Sequence, residues 1–182
     1  MAKRKRKEKD LYLLYGSLIS ILFILSNYIV KFSFNLNGTS IYYSVFTIPF
    51  IYLFTCLLYK KYGFKKTLTA IVIAIVLQLL VFFMEWLIYS EISTAVLVGT
   101  MLSVPFAQLL TIGLYKLMNK KHENILTIFI ILAIAVIFDN LVFLNVLKLF
   151  GDNAVVINMI TTSNLIKVLL AFISSIIVIK TK

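Results

Sequence analysis

Long apolar stretches alternate with short polar segments along almost the whole chain. Six such stretches, 19 to 26 residues long, are Leu11–Val30, Ile41–Tyr59, Thr67–Tyr89, Ile92–Tyr115, Ile125–Leu147 and Ala154–Ile179. A helix needs roughly 20 residues to cross a hydrocarbon core about 30 Å thick. The pattern therefore predicts an all-α membrane protein, a bundle of six transmembrane helices. Residues 1–10 are expected to form a basic tail, and residues 11–182 a single transmembrane domain.

Basic residues fall in alternate connections between the apolar stretches. The segments before the first stretch, between the second and third, between the fourth and fifth, and after the sixth hold six, four, three and two Lys or Arg residues. The other connections hold one or none. Cytoplasmic loops are enriched in Lys and Arg, so both termini are predicted to be cytoplasmic. The Lys, Ile, Leu and Asn-rich composition is typical of a bacterial protein, so we expect a multi-pass protein of the inner (plasma) membrane.

Composition excludes several classes of protein. With 62% hydrophobic residues and a mean hydropathy of +1.02, the chain carries too much apolar surface for a soluble domain. The net charge of +11 lies mostly at helix ends and in the tails, which favours headgroup contact and topology over nucleic acid binding. One cysteine, one histidine and no catalytic motif argue against an enzyme, a metal site or a cofactor.

Two charged residues lie inside predicted membrane helices. Lys167 is 13 and 12 residues from the two ends of the sixth stretch, and Asp139 is close to the middle of the fifth. Each would cost roughly 2.5–3.5 kcal/mol at a helix centre. Helices five and six are joined by a short loop, so we expect the two side chains to pair. The pair could contact a substrate, relay a proton, or only fix the register of the two helices.

Amide and lysine side chains on other helices suggest a larger polar site. Asn27 and Lys31 are one helical turn apart, Asn164 shares a face with Lys167, and Gln108 lies at mid-membrane. The predicted substrate-binding residues are Asn27, Lys31, Gln108, Asp139, Asn164 and Lys167. Their donors and acceptors suit a small, flat heterocycle better than an ion alone. The expected partners are this small-molecule substrate and the lipid bilayer.

Several short motifs resemble those of a known transporter family. They are Ser26-Asn27 followed by Lys31, Pro49 followed by Tyr62-Gly63, Gln108, Asp139 with Phe143, and the late Lys167. In these the chain resembles the VUT family (vitamin uptake transporter-like) of queuosine precursor transporters. The resemblance implies uptake of a 7-deazaguanine such as preQ0 or preQ1. The chain departs from the family at acidic positions, where it has Cys56, Lys60 and Thr111, and Asn140 stands in place of the usual Thr. These departures are expected to change the ligand or weaken ion coupling.

Two other functions remain open from the sequence. The chain has the size and helix number of the substrate-binding subunit of an energy-coupling-factor vitamin transporter. Such a subunit docks its partner through a small-x-x-x-small face, for which Gly16 with Ser20 is the candidate. Alternatively, it is a non-transporting membrane scaffold. Homo-oligomers and energy-coupling subunits both remain open as partners, and copurification of ATPase subunits would favour the coupling-factor subunit over the carrier.

Overall fold

The computed structural model describes residues 2–30, 32–36, 39–88, 94–118, 124–150 and 156–181. Its elements, in chain order, are α1 (Ala2–Ile29), β1 (Ser33–Leu36), β2 (Thr39–Tyr42), a 3₁₀ helix (Tyr43–Phe46), α2 (Ile48–Ile88), α3 (Thr94–Met118), α4 (Ile125–Leu149) and α5 (Val156–Lys180). Among the described residues, five helices are long and apolar enough to cross a membrane. The outward-facing side chains include many exposed leucines and phenylalanines, as expected of a surface that contacts lipid.

α2 is 41 residues long, and its backbone leaves the helical conformation at Gly63. The backbone dihedrals there are φ 75° and ψ −177°, a region that only glycine adopts readily. No other atom lies within 4 Å of where a Cβ would be. The backbone conformation, rather than lack of space, therefore favours glycine. Gly63 divides α2 into an N-terminal arm, residues 48–62, and a C-terminal arm, residues 64–88.

The two arms of α2 pack beside the same part of α1. The rings of Tyr15 and Phe54 have centroids 6.0 Å apart, and a Cβ on the adjacent Gly16 would lie 3.7 Å from the Cβ of Ala70. In a straight helix, Phe54 and Ala70 would be separated by about 24 Å, at 1.5 Å per residue. The chain therefore reverses direction near Gly63. The apolar stretches predicted as separate helices at Ile41–Tyr59 and Thr67–Tyr89 are joined through this bend in one element.

A β-hairpin stands where the sequence predicted a loop and the start of the second helix. β1 and β2 are antiparallel, with Leu36 opposite Thr39 and Phe34 opposite Ile41. Helix α2 begins only at Ile48, so the predicted helical start at Ile41 is wrong. The sequence carried a signal for this hairpin, because alternating apolar residues flank Asn-Gly, the favoured dipeptide of a two-residue hairpin turn.

The hairpin and the bend of α2 mark opposite ends of the bundle. At the bend, the hydroxyl of Tyr62 donates to the backbone oxygen of Glu8, and the Lys60 ammonium donates to that of Val178 in α5. The start of α1, the bend and the end of α5 therefore lie together. Between the two ends, the core is filled by fully buried Ile, Leu and Ala side chains of α1, α2, α4 and α5. Alanine at these positions lets helix backbones approach closely.

Candidate functional site

A buried ion pair joins α4 and α5 near their midpoints. The Nζ of Lys167 donates to Oδ2 of Asp139 over 2.8 Å. The two residues are only 5% and 1% exposed. Lys167 follows Val156 by 11 residues and precedes Lys180 by 13, so it lies close to the centre of α5. The pairing predicted from the sequence is confirmed.

Two asparagines extend the ion pair into a network. Lys167 also donates to Oδ1 of Asn140, and the amide nitrogen of Asn140 donates to Oδ1 of Asn164. Asn164 and Lys167 lie on one face of α5, while Asp139 and Asn140 are adjacent on α4, so two short segments supply all four groups. The substrate-binding residues predicted from the sequence include Asn164 but not Asn140. The position of Asn140 beside an intramembrane carboxylate was the available signal.

The Asp139 carboxylate retains hydrogen-bonding capacity. Its Oδ1 is buried and has no hydrogen-bond partner among the described residues. Tyr52, fully buried on the N-terminal arm of α2, lies close enough to this carboxylate for electrostatic and hydrogen-bonding interaction. Its hydroxyl and Oδ1 nevertheless do not reach full hydrogen-bond geometry with each other or with another described residue. An unmet buried polar atom costs roughly 1–3 kcal/mol, so either a small shift of Tyr52 toward Oδ1 or a polar occupant of the cavity would stabilise the site.

A cavity of about 60 Å³ opens from the ion pair toward the hairpin. This volume exceeds the roughly 10–15 Å³ that a cavity needs to admit one water molecule, so water can enter it. Asp139, Asn140 and Lys167 form its polar floor, and hydroxyl groups of α3 and α5 line its wall. The remaining lining residues, from α1, β2, the 3₁₀ helix, α2, α3, α4 and α5, are Val30, Tyr42, Ser44, Val45, Ile48, Thr100, Ser103, Phe143, Leu144, Leu147 and Ser163.

Among the described residues, the cavity lining extends toward the hairpin end of the bundle. Its lining includes Val30, at the end of α1, and Tyr42 of the hairpin. On the other side of the ion pair, Ala135 of α4 and Ala171 of α5 are fully buried in the packed core. Closer to the bend, the rings of Tyr59 and Tyr115 meet edge to face with centroids 5.3 Å apart. In the part of the chain that the structure describes, the cavity lining extends from the ion pair toward the hairpin, and packed side chains lie between the ion pair and the bend.

Two other predicted site residues, Asn27 and Gln108, are buried but do not line this cavity. Asn27 is 1% exposed and accepts a hydrogen bond from Thr100, which lines the cavity. Gln108 is fully buried and donates to Thr55 over 3.1 Å. Asn27 therefore reaches the cavity lining through Thr100, whereas Gln108 joins α3 to α2. Lys31 lies outside the described residues.

Sequence reasoning missed the hydroxyl groups of the site. Tyr52, Ser103 and Ser163 are ordinary residues in apolar helices, and nothing in their spacing separates them from packing residues. Thr100 resembles any other small residue of a membrane helix until its bond to Asn27 is seen. Only the three-dimensional packing identifies these contributions.

No family model, curated protein or solved structure matches the chain. The fold and the site therefore define its class. The described residues form a mainly helical protein of the membrane class, with five helices long and apolar enough to cross a membrane, a two-stranded hairpin and a cavity with a polar floor inside the bundle.

Proposed function

We propose that the protein is a membrane carrier for a small polar molecule that binds in the cavity above Asp139 and Lys167. The observation that carries this proposal is a buried ion pair at the floor of a cavity whose lining extends from the ion pair to the hairpin. Polar groups at this depth are costly in lipid. A site that is sealed on one side of the substrate is what alternating access requires of a carrier.

We propose six membrane crossings, with the N- and C-termini in the cytoplasm. The reversal at Gly63 supports this count, because each arm of α2 packs along α1 in the opposite direction. Lys60 and the start of α1 lie together at the bend end, beside the last turn of α5 with Lys180. By the rule that basic residues face the cytoplasm, the bend end is cytoplasmic and the cavity opens outward.

We propose a planar heterocycle as the ligand, with a queuosine precursor of the 7-deazaguanine type as the first candidate. The resemblance to the VUT family motivates this choice. The site can supply a carboxylate oxygen from Asp139, amide groups from Asn140 and an aromatic face from Phe143. Pockets for drug-sized ligands usually enclose about 300–1,000 Å³. The cavity of about 60 Å³ must therefore widen around such a base, and we expect the hairpin and 3₁₀ helix to move outward.

The decisive experiment is ligand binding to the purified protein. Candidates are preQ0, preQ1, queuine and a set of vitamins, measured by calorimetry and by uptake into cells that lack their own carrier. Asn140→Ala should abolish tight binding because it removes a partner of both Lys167 and Asn164. Asn145→Ala is the matched control, since Asn145 is an exposed residue of the same helix. If a vitamin bound tightly and the queuosine precursors did not, that vitamin would replace the 7-deazaguanine as the proposed substrate. The carrier proposal would be refuted if none of these ligands bound the purified protein and if Asn140→Ala left the uptake of every candidate by cells unchanged.

The structure argues against one route to an energy-coupling-factor subunit. The predicted docking face of Gly16 and Ser20 is turned inward, because Ser20 is buried and Gly16 packs against Ala70 of α2. A partner that used this face would have to displace α2. Copurification of ATPase subunits with the tagged protein remains the direct test of that alternative.

A further inference from the structure

A second pocket lies at the bend end of the bundle. Its volume is about 420 Å³, and it is lined by Glu8, Lys9 and Tyr12 of α1 and by Lys61, Tyr62 and Lys66 of α2. We refer to these six residues as the basic pocket. Along α1, Glu8 is 22 residues from Val30, which lines the central cavity, or about 33 Å at 1.5 Å per residue. The two sites are therefore separate.

Two tyrosines and a lysine give the basic pocket a fixed wall. The rings of Tyr12 and Tyr62 meet edge to face with centroids 5.3 Å apart. The ammonium of Lys66 lies 5.9 Å and 5.3 Å from the two ring centroids. Each hydroxyl donates to a backbone oxygen across the interface, that of Tyr12 to Lys66 and that of Tyr62 to Glu8. These contacts hold α1 against both sides of the bend, so the pocket is preformed.

The charge of the pocket selects the chemistry of its ligand. Lys9, Lys61 and Lys66 bring three positive charges and Glu8 one negative charge, so the formal charge of the lining is +2. Lysine ammonium groups donate hydrogen bonds to phosphate oxygens, whereas the two tyrosine hydroxyls already donate to backbone oxygens and serve to position the wall. A phosphate group therefore complements the lining, whereas a cation or an apolar ligand does not.

The position of the pocket indicates where that phosphate comes from. The apolar span of α1 begins at Glu8, so the pocket lies at the level where the membrane interface meets the helix. Exposed Leu13 and Phe64 continue from it as apolar surface. Basic pockets between transmembrane helices on the cytoplasmic side bind anionic lipid headgroups. We propose that the basic pocket binds the phosphate of an anionic phospholipid headgroup, with the acyl chains against the adjacent apolar surface.

The test measures lipid retained by the purified protein. The protein is placed in vesicles of phosphatidylcholine mixed with phosphatidylglycerol, extracted, and analysed by native mass spectrometry. We expect selective retention of phosphatidylglycerol. Lys61→Gln and Lys66→Gln should each weaken it about fivefold, the value of one interfacial lysine near an anionic lipid. Lys61 is exposed, so its variant tests the charge without disturbing the tyrosine pair.

Two controls separate this site from general attraction to a basic protein surface. Lys116→Gln removes an exposed lysine at the end of α3, outside the pocket, and should leave retention unchanged. Glu8→Gln removes the one negative charge of the lining and should strengthen retention severalfold. Equal losses in Lys61→Gln and Lys116→Gln, or no loss in either pocket variant, would overturn the proposal. Displacement of the lipid by inorganic phosphate at constant ionic strength would show that the pocket takes free phosphate, which overturns the lipid source.

Discussion

Replacing only one member of the Asp139–Lys167 ion pair should lower the free energy of unfolding much more than replacing both. At 2.8 Å, two unit charges attract by about 6 kcal/mol at an effective dielectric constant of 20. Placing both charges at mid-helix costs about 5–7 kcal/mol on the insertion scale. These terms nearly cancel, so the intact pair contributes little net stability. A lone charge keeps its cost of burial and loses its partner, which destabilises by about 3–5 kcal/mol.

Because of the hydrogen-bond network, the two single substitutions should lower the free energy of unfolding by different amounts. In Asp139→Asn, the Lys167 ammonium keeps its bond to Asn140, so the loss should be near the lower value of about 3 kcal/mol. In Lys167→Met, the carboxylate keeps only its interaction with Tyr52, and the loss should approach about 5 kcal/mol. The double variant should be more stable than either single variant.

The only cysteine provides the assay. Cys56 is fully buried, so a thiol reagent reports the unfolded fraction during a titration with denaturing detergent. Lys148→Met is the control, because Lys148 is exposed on the same helix as Asp139 and its loss should change the free energy of unfolding by no more than about 0.5 kcal/mol. The reasoning fails if the double variant loses the sum of the two single losses. It also fails if Lys148→Met matches Lys167→Met.

Three further predictions concern the bend at Gly63, the hydrogen bond between the uncharged side chains of Gln108 and Thr55, and the membrane topology. Gly63→Ala should destabilise by about 1–2 kcal/mol, because alanine is strained at positive φ; Gly113→Ala, at an open helical position, should be neutral or stabilising in the same titration. Thr55→Val removes the bond from the α3 amide and should cost only about 0.6 kcal/mol, the mean for such bonds in membranes; a loss above about 3 kcal/mol, as for a buried charge, would contradict this. A cysteine replacing Asn37 should react with an impermeant thiol reagent added from outside. A cysteine replacing Lys121 should react only after the membrane is permeabilised. The reverse pattern would refute the topology.

Most of the helical architecture follows from the sequence because lipid leaves the chain few options. Backbone groups in hydrocarbon must be satisfied within the segment, so each apolar run of sufficient length becomes a helix. α3, α4 and α5 begin and end within a few residues of the predicted bounds. The bend of α2 depends on one glycine and on packing against α1, neither of which apolar length reports. The hairpin was missed although its Asn-Gly turn signal was present, because an apolar run from Ile41 also suited a helix.

For the candidate site too, the sequence predicts which residues are energetically costly to bury, but it does not predict which residues contact each other. Asp139 and Lys167 were found because charges inside membrane helices are expensive and therefore conspicuous. Asn27 and Gln108 are buried, as their polarity predicted, yet each bonds a threonine of a neighbouring helix and does not line the cavity. Sequence indicates that an amide must face the bundle. Which neighbour it finds depends on the rotation and depth of both helices, and only packing determines these.

The unmet carboxylate oxygen bears on whether the ion pair serves function or only helix register. A pair kept for register gains from full satisfaction, because every unpaired buried atom lowers stability without adding specificity. Here Oδ1 of Asp139 and the hydroxyl of Tyr52 interact, yet neither reaches full hydrogen-bond geometry with the other or with another described residue, although the core around them contains buried alanines. The cavity reaches this same carboxylate from the hairpin end. An occupant that donates a hydrogen bond to Oδ1 would offset the cost, which supports a ligand site over a purely structural pair.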